Sequence, residues 1–116
     1  ETGTTIKSWT NLGSPTNKIP SSPTAYDSNG DGLVDYVYFG DTSGTLWKVD
    51  LRDTNPVNWT CNALFTPSVP AQRKPIFYAP AVAKNDEGKI LIFFGTGNEL
   101  DLTSTAVNYF YEIEDQ

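Results

Sequence analysis

The chain has 116 residues, enough for about one small domain with a modest core, and its fourteen acidic against eight basic residues give a formal charge of −6. That balance disfavours nucleic-acid phosphates and anionic membrane surfaces as partners and favours cations. Histidine is absent, which removes the commonest general base and transition-metal ligand. No apolar run approaches the roughly 20 residues of a membrane-spanning helix, so triads, zinc centres and membrane insertion are not expected.

In chain order, Ser, Thr, Pro and Gly dominate residues 1–24, with Pro15, Pro20 and Pro23 blocking any sustained helix, and residues 1–18 are expected to be an irregular N-terminal segment. From Ser22 the pattern changes to short apolar stretches rich in Val, Tyr, Phe and Thr, bounded by turn residues, which is strand composition. Strands are predicted over residues 23–26, 36–40 and 45–50, with a hairpin turn at 41–44 in which Gly44 suits a positive φ. Residues 53–75 carry Pro56, Pro67, Pro70 and Pro75 around Trp59, Leu64 and Phe65. A short strand near 62–66 is expected there as the outer edge of the first unit. Cys61, the lone cysteine, cannot close an internal disulfide and reads as a small buried hydrophobe. Asn58-Trp59-Thr60 matches a glycosylation acceptor, a pattern short enough to recur by chance. Further strands are predicted over 79–83, 89–95 and 107–113.

The second half repeats the first. A proline stands inside a small-residue strand (Pro23, Pro80), an acidic turn follows, an aromatic strand ends in glycine (Gly40, Gly95), and a further aromatic strand ends in an acid (Asp50, Glu114). This is the pattern of an all-β fold built from antiparallel meanders, the units from which β-propeller blades are made. Two blades are expected, one over about 19–66 and one over about 75–115. Two blades leave open faces, so the chain is either a piece of a larger propeller or is completed by another chain, a homo-oligomer included.

Between the first two strands, residues 27–35 read Asp-Ser-Asn-Gly-Asp-Gly-Leu-Val-Asp. Asp27, Asn29, Asp31 and Asp35 occupy loop positions one, three, five and nine, and Leu33 offers its backbone carbonyl at position seven. Calcium takes six to eight hard oxygen ligands at about 2.3–2.6 Å, and alternating oxygens on a tight glycine-containing loop supply them. Magnesium, rigidly octahedral and reluctant to shed water, suits the loop less well. Position twelve falls on Tyr38 rather than a glutamate and the flanks are strands, so a helix-swinging switch is not expected; a structural clasp is. A merely solvated hairpin would leave three aspartates crowded without compensation.

Other features carry less. Asp41, Glu99 and Asp101 lie in turns that correspond between the units and are candidates for a second ion. The aromatic set of Trp47, Phe77, Tyr78, Phe93, Phe94, Tyr109, Phe110 and Tyr111 suits either core packing or a sugar-binding face. Gly95-Thr96-Gly97-Asn98 lacks the lysine and helix of a phosphate loop. The clustered acids have metal-ligand spacing rather than that of a hydrolase pair, so no catalytic residue is assigned.

Taken together, residues 22–27 and the run from Tyr38 to Leu51 (Tyr-Phe-Gly-Asp-Thr-Ser-Gly-Thr-Leu-Trp-Lys-Val-Asp-Leu) resemble the C-terminal β-propeller of PilY-type proteins, the tip-associated adhesins of bacterial type IV pili. Pro75-Ile76, residues 79–82 and Phe94-Gly95-Thr96-Gly97 are similar to the next blade of that domain. The resemblance implies a quinoprotein-like propeller at the bacterial cell surface and a calcium loop whose ligands are Asp27, Asn29, Asp31, Leu33 and Asp35. It also implies a non-enzymatic role with pilus components as partners, in pilus biogenesis, retraction control or adhesion to a host or other surface. The competing readings are a quinone-dependent dehydrogenase fragment and a carbohydrate-binding β module. Integrin-type repeats share Asn-Gly-Asp-Gly within the loop but lack the Gly-Thr-Leu-Trp-Lys-Val-Asp ending.

Overall fold

The computed structural model describes residues 3–10, 12–13, 16–98 and 100–116. Its strands form two antiparallel sheets. The first has the order β1 (Thr24–Tyr26), β2 (Tyr36–Gly40), β3 (Leu46–Asp50) and β4 (Thr60–Phe65), and the second β5 (Ala81–Lys84), β6 (Ile90–Gly95) and β7 (Phe110–Asp115). Short 3-10 turns at Pro56–Asn58 and Pro70–Gln72 punctuate the connection, each opened by a proline, whose fixed φ and missing N–H cost nothing at that position. Among the described residues no helix is long and apolar enough to cross a membrane.

β1, β3 and β6 each start one residue later than the sequence reading puts them, and three strands start two or more residues away. β4 starts at Thr60, two residues before the expected 62, because its ladder with β3 already begins at Asp50↔Thr60. β5 starts after Pro80, which has no amide to give a ladder and whose carbonyl accepts from Thr24 Oγ1 at 2.5 Å. β7 begins at Phe110 rather than 107. The β6 ladder enters it at Gly95↔Phe110, while the amides of Asp101, Ser104 and Ala106 donate to Asn98, Asp101 and Ser104 in turns and Val107 stays 68 % exposed.

Alternation in β2 divides the chain's apolar residues between two clusters. Tyr36 and Tyr38, with Leu46 of β3, face the second sheet and meet Ile92 and Phe94 of β6 there, with Val82, Tyr111 and Ile113 at the margin. Phe39, Trp47 and Val49 face the opposite way. That outer face is covered by the N-terminal segment through Trp9 and Leu12, with Val37, Leu51 and Cys61 alongside. The irregular segment is thus a packed cover over the first sheet. Cys61 is only half-buried, and its burial raises the thiol's pKa.

Ile76, on the connection, joins the sheets. It is fully buried, its amide donates to the Asp41 carbonyl at 3.0 Å, and its side chain fills the space above Gly40 where any Cβ would go. Asp41 buckles the turn that follows β2. Its Oδ1 accepts from the Ser43 and Thr45 amides at 2.8 and 3.0 Å and its Oδ2 from the Trp47 indole at 2.9 Å. One charged group crosses the inter-sheet core. Asp115, at the end of β7, accepts from Tyr38 Oη at 2.7 Å and pairs with Lys48 Nζ at 2.6 Å, and Lys48 also lies over the Tyr36 ring. Removing one partner of such a network leaves a buried charge uncompensated.

Gly40→Ala forces Ile76 out of its seat and is expected to cost about 1–3 kcal/mol in urea unfolding. Gly95→Ala, whose new methyl meets nothing closer than Phe110 at 3.8 Å, is expected to be nearly neutral. The Tyr38 phenol is held well above its ordinary pKa of about 10 by burial, then by its hydrogen bond to Asp115 and by that carboxylate's charge. A raised folded pKa stabilises below the unfolded value and is lost as pH rises above it, so native stability falls from about pH 10 upward. Tyr38→Phe should flatten that alkaline decline in pH-dependent chemical denaturation while lowering stability at neutral pH.

Candidate metal loop

The nine residues 27–35 connect β1 to β2, with Tyr26 opposite Tyr36 at the base. Two backbone bonds close the mouth: the Asp35 amide donates to the Tyr26 carbonyl at 3.0 Å, and the Asp35 carbonyl accepts from Leu51, beyond β3, at 2.8 Å. The loop is therefore tied to three strands.

Inside it, carboxylate and amide oxygens collect backbone N–H groups. Asp27 Oδ1 accepts from Asn29 and Gly30 at 3.2 and 2.7 Å, and its Oδ2 from Gly32 at 2.7 Å. Asn29 Oδ1 accepts from the Asp31 amide at 2.9 Å, and Asp31 Oδ1 from the Leu33 amide at 2.8 Å. This winding requires φ of 80° at Gly30 and 89° at Gly32, a region where a side chain is strained. The Gly32 N–H leads the effects that hold the Asp27 carboxyl below its usual range. Asp35 is buried and its Oδ2 accepts from both the amide (2.8 Å) and the hydroxyl of Ser28.

The structure thus brings Asp27, Asn29, Asp31, Leu33 and Asp35 onto one loop, with the Leu33 side chain 70 % exposed. The donor set is all oxygen, the chemistry calcium prefers. The carboxylates themselves do not converge: among the described residues no three His, Cys, Asp or Glu side chains are gathered closely enough to hold a metal. What is prearranged is the backbone. Asp31 Oδ2 and Asp35 Oδ1 accept no hydrogen bond among the described residues.

Two contacts at the loop were not legible in the sequence. Lys84, on β5 of the other sheet, donates from Nζ to the Ser28 carbonyl at 2.8 Å, a pairing across 56 residues that no local pattern signals. Arg52 clamps Asp50 with Nη2–Oδ2 at 2.6 Å and lies over the Tyr36 ring, beside the loop's closure on Leu51; this pairing draws the Asp50 carboxyl below its usual range. The loop therefore stands at the seam between the sheets.

The second candidate ion position resolves differently. Asp41 is only 1 % exposed, with both oxygens engaged in buckling the turn. Asp101 is exposed and accepts from Thr103 Oγ1 at 3.0 Å, and Glu99 lies outside the described residues. Asp101 borders an open hollow of about 420 Å³ with Lys74, Tyr78 and Asn108. The aromatic residues form no common face. Phe94 and Tyr111 stack in the inter-sheet core with ring centroids 5.3 Å apart, Trp47 packs on the outer face of the first sheet, and Tyr78 and Phe110 are more than 70 % exposed.

Comparison with known proteins accords with this architecture. A type IV pilus biogenesis factor PilY1 homolog of Xylella fastidiosa is 35 % identical over 95 residues, covering 78 % of this chain and 8 % of that protein. PilY1 of Pseudomonas aeruginosa strain PAO1 is 55 % identical over 31 residues, covering 27 % of this chain and 3 % of that one. The chain thus spans under a tenth of the length of these relatives. The crystal structure of the P. aeruginosa PilY1 C-terminal domain superposes with a TM-score of 0.73 at 26 % identity, over 92 % of this chain and 27 % of that chain. The family model of the PilY1 β-propeller domain matches residues 2–116, and the chain belongs to that family.

Proposed function

We propose that the chain is a calcium-braced, non-enzymatic part of a type IV pilus-associated protein at the bacterial surface, acting through contacts with pilus components in biogenesis, retraction control or adhesion. The observation that carries the calcium reading is the amide-lined winding of residues 27–35. Its glycines hold Asp27, Asn29 and Asp31 at alternating positions on a loop tied to both sheets. The names of the relatives, pilus biogenesis factors, support the setting.

Asp27, Asn29, Asp31 and Asp35 would hold the ion by their side-chain oxygens and Leu33 by its carbonyl. Calcium supplies charge neutralisation for three aspartates within nine residues; it is a brace and carries no reaction. Asp35 would transmit the brace to the strands, since its backbone bonds both Tyr26 and Leu51. Lys84 would transmit it to the second sheet through Ser28. The dispersal of the aromatic residues gives a carbohydrate platform no support.

An ion bound only to the native state stabilises it by about 2.7 kcal/mol at a hundred times its dissociation constant. Millimolar calcium is accordingly expected to raise the melting temperature by several degrees over excess chelator, with magnesium giving less. Identical melting in calcium and chelator would sink the metal reading. Asp31→Ala, at an exposed position, should abolish the calcium-dependent rise with little change in the chelator melt. The same substitution in the whole pilus protein tests the setting: altered surface piliation or twitching is expected, and unchanged pili with calcium binding lost would overturn the proposed link between the two.

A further inference from the structure

Asparagine followed by glycine is a chemically labile pair. The glycine nitrogen has no Cβ beside it, so it can reach the asparagine carboxamide carbon and close a cyclic imide, a succinimide. Of the chain's asparagines only Asn29 is followed by glycine. A native fold blocks the step when it locks the glycine amide in a ladder or buries the carboxamide, and neither holds here. Asn29 and Gly30 lie between β1 and β2 and are both exposed, and no atom stands within 4 Å of where a Gly30 Cβ would be.

The local bonds face the two reacting groups toward one another. Gly30 donates its N–H to a side chain, Asp27 Oδ1 at 2.7 Å, and to no strand. Asn29 Oδ1 accepts from the Asp31 amide at 2.9 Å. That bond closes a turn around Gly30 and keeps the carboxamide on the same turn as the Gly30 nitrogen. It also sets a donor on the oxygen that gains negative charge when the carboxamide carbon is attacked. Asn55, Asn85 and Asn98 make the same kind of bond, to the amides of Val57, Glu87 and Leu100. Their following residues oppose the attack: Pro56 has no N–H to lose, and Asp86 and Glu99 carry side chains beside the nitrogen.

We propose that Asn29 is a self-modification site, at which the folded chain converts Asn29 through a succinimide with Gly30 into isoaspartate and aspartate. The Gly30 nitrogen bonds to Asn29 Cγ and gives its proton to water. The Cγ–Nδ2 bond breaks, and the nitrogen takes a proton from water and leaves as ammonia. A second water then opens the imide, with no change of oxidation state. Opening on the Cγ side leaves aspartate; opening on the main-chain carbonyl side leaves isoaspartate, with the chain now running through Cβ and Cγ. Either product adds a negative charge beside Asp27, Asp31 and Asp35. Isoaspartate also lengthens the main chain by one carbon before Gly30. That shifts Gly30 and Gly32 away from the Asp27 oxygens that accept their amides at 2.7 Å. The consequence for the clasp rests on the calcium reading above: an ion held by Asp27 and Asn29 oxygens would restrain the loop against cyclisation, and the isoaspartate form would lose the ion.

The test incubates the folded chain in excess chelator at physiological temperature and pH. Peptide mass spectrometry, with fragmentation that separates isoaspartate from aspartate, follows each asparagine. Asn29 is expected to convert at least about tenfold faster than Asn98, which is exposed and makes the same bond. Conversion in urea with the folded chain unconverted over the same time overturns the proposal. Millimolar calcium in place of chelator should slow the conversion at least about tenfold. Equal conversion in both, in a chain whose melting temperature calcium raises, overturns the protection. If calcium raises no melting temperature, the calcium reading fails and conversion in chelator alone decides the site. The purified isoaspartate fraction should lose the calcium-dependent rise that the unconverted fraction shows; a retained rise overturns the link between modification and clasp.

Discussion

The contact between the two sheets is the constraint on which the rest of the molecule depends. A three- or four-stranded sheet of such short strands has little stability until one face is buried. Here Tyr36, Tyr38 and Leu46 of one sheet and Ile92 and Phe94 of the other bury each other. Ile76 reaches into the same core from the connection, and its seat exists because residue 40 has no side chain. The Tyr38–Asp115–Lys48 network sets one buried charge into this apolar seam. It fixes the lateral position of the sheets, because a carboxylate out of register with its two donors would be buried without partners.

The loop at residues 27–35 follows from that packing. Its winding is local, a matter of aspartate and asparagine oxygens accepting nearby amides around two glycines with positive φ. Its placement is not local. Asp35 bonds backbone on both flanking sides, and Lys84 arrives from the second sheet only because the sheets are stacked. An ion on this loop would act on the seam as well as on one hairpin, which suits a brace better than a sensor.

Much of the architecture was legible in the sequence because it rests on short-range chemistry. Turn residues bound the strands, β2 and β6 each end in glycine, and the nine-residue acidic spacing of the loop needs no tertiary context. The shifted starts of β4 and β7 share a cause. The run 107–113 has strand composition, yet β7 starts at Phe110 because the β6 ladder, a long-range partner, sets where pairing begins. The composition predicts an irregular N-terminal segment, and it has no strand among the described residues. That it packs Trp9 and Leu12 on the outer face of the first sheet was not legible, since nothing nearby in sequence marks that face as needing a cover. Asp41 and the loop aspartates have the same composition in similar turns, and only burial separates a turn buckle from a candidate ligand.

What the sequence by itself determined is the repeated meander, its turns, and an oxygen-rich loop with the spacing of a cation site, because propensity, glycine geometry and the reach of an aspartate over two or three residues are properties of neighbours. Only the tertiary structure decided which face of each sheet is covered and which acids are consumed by structure. Those outcomes depend on partners dozens of residues away, and packing and desolvation assign them only once the sheets have met.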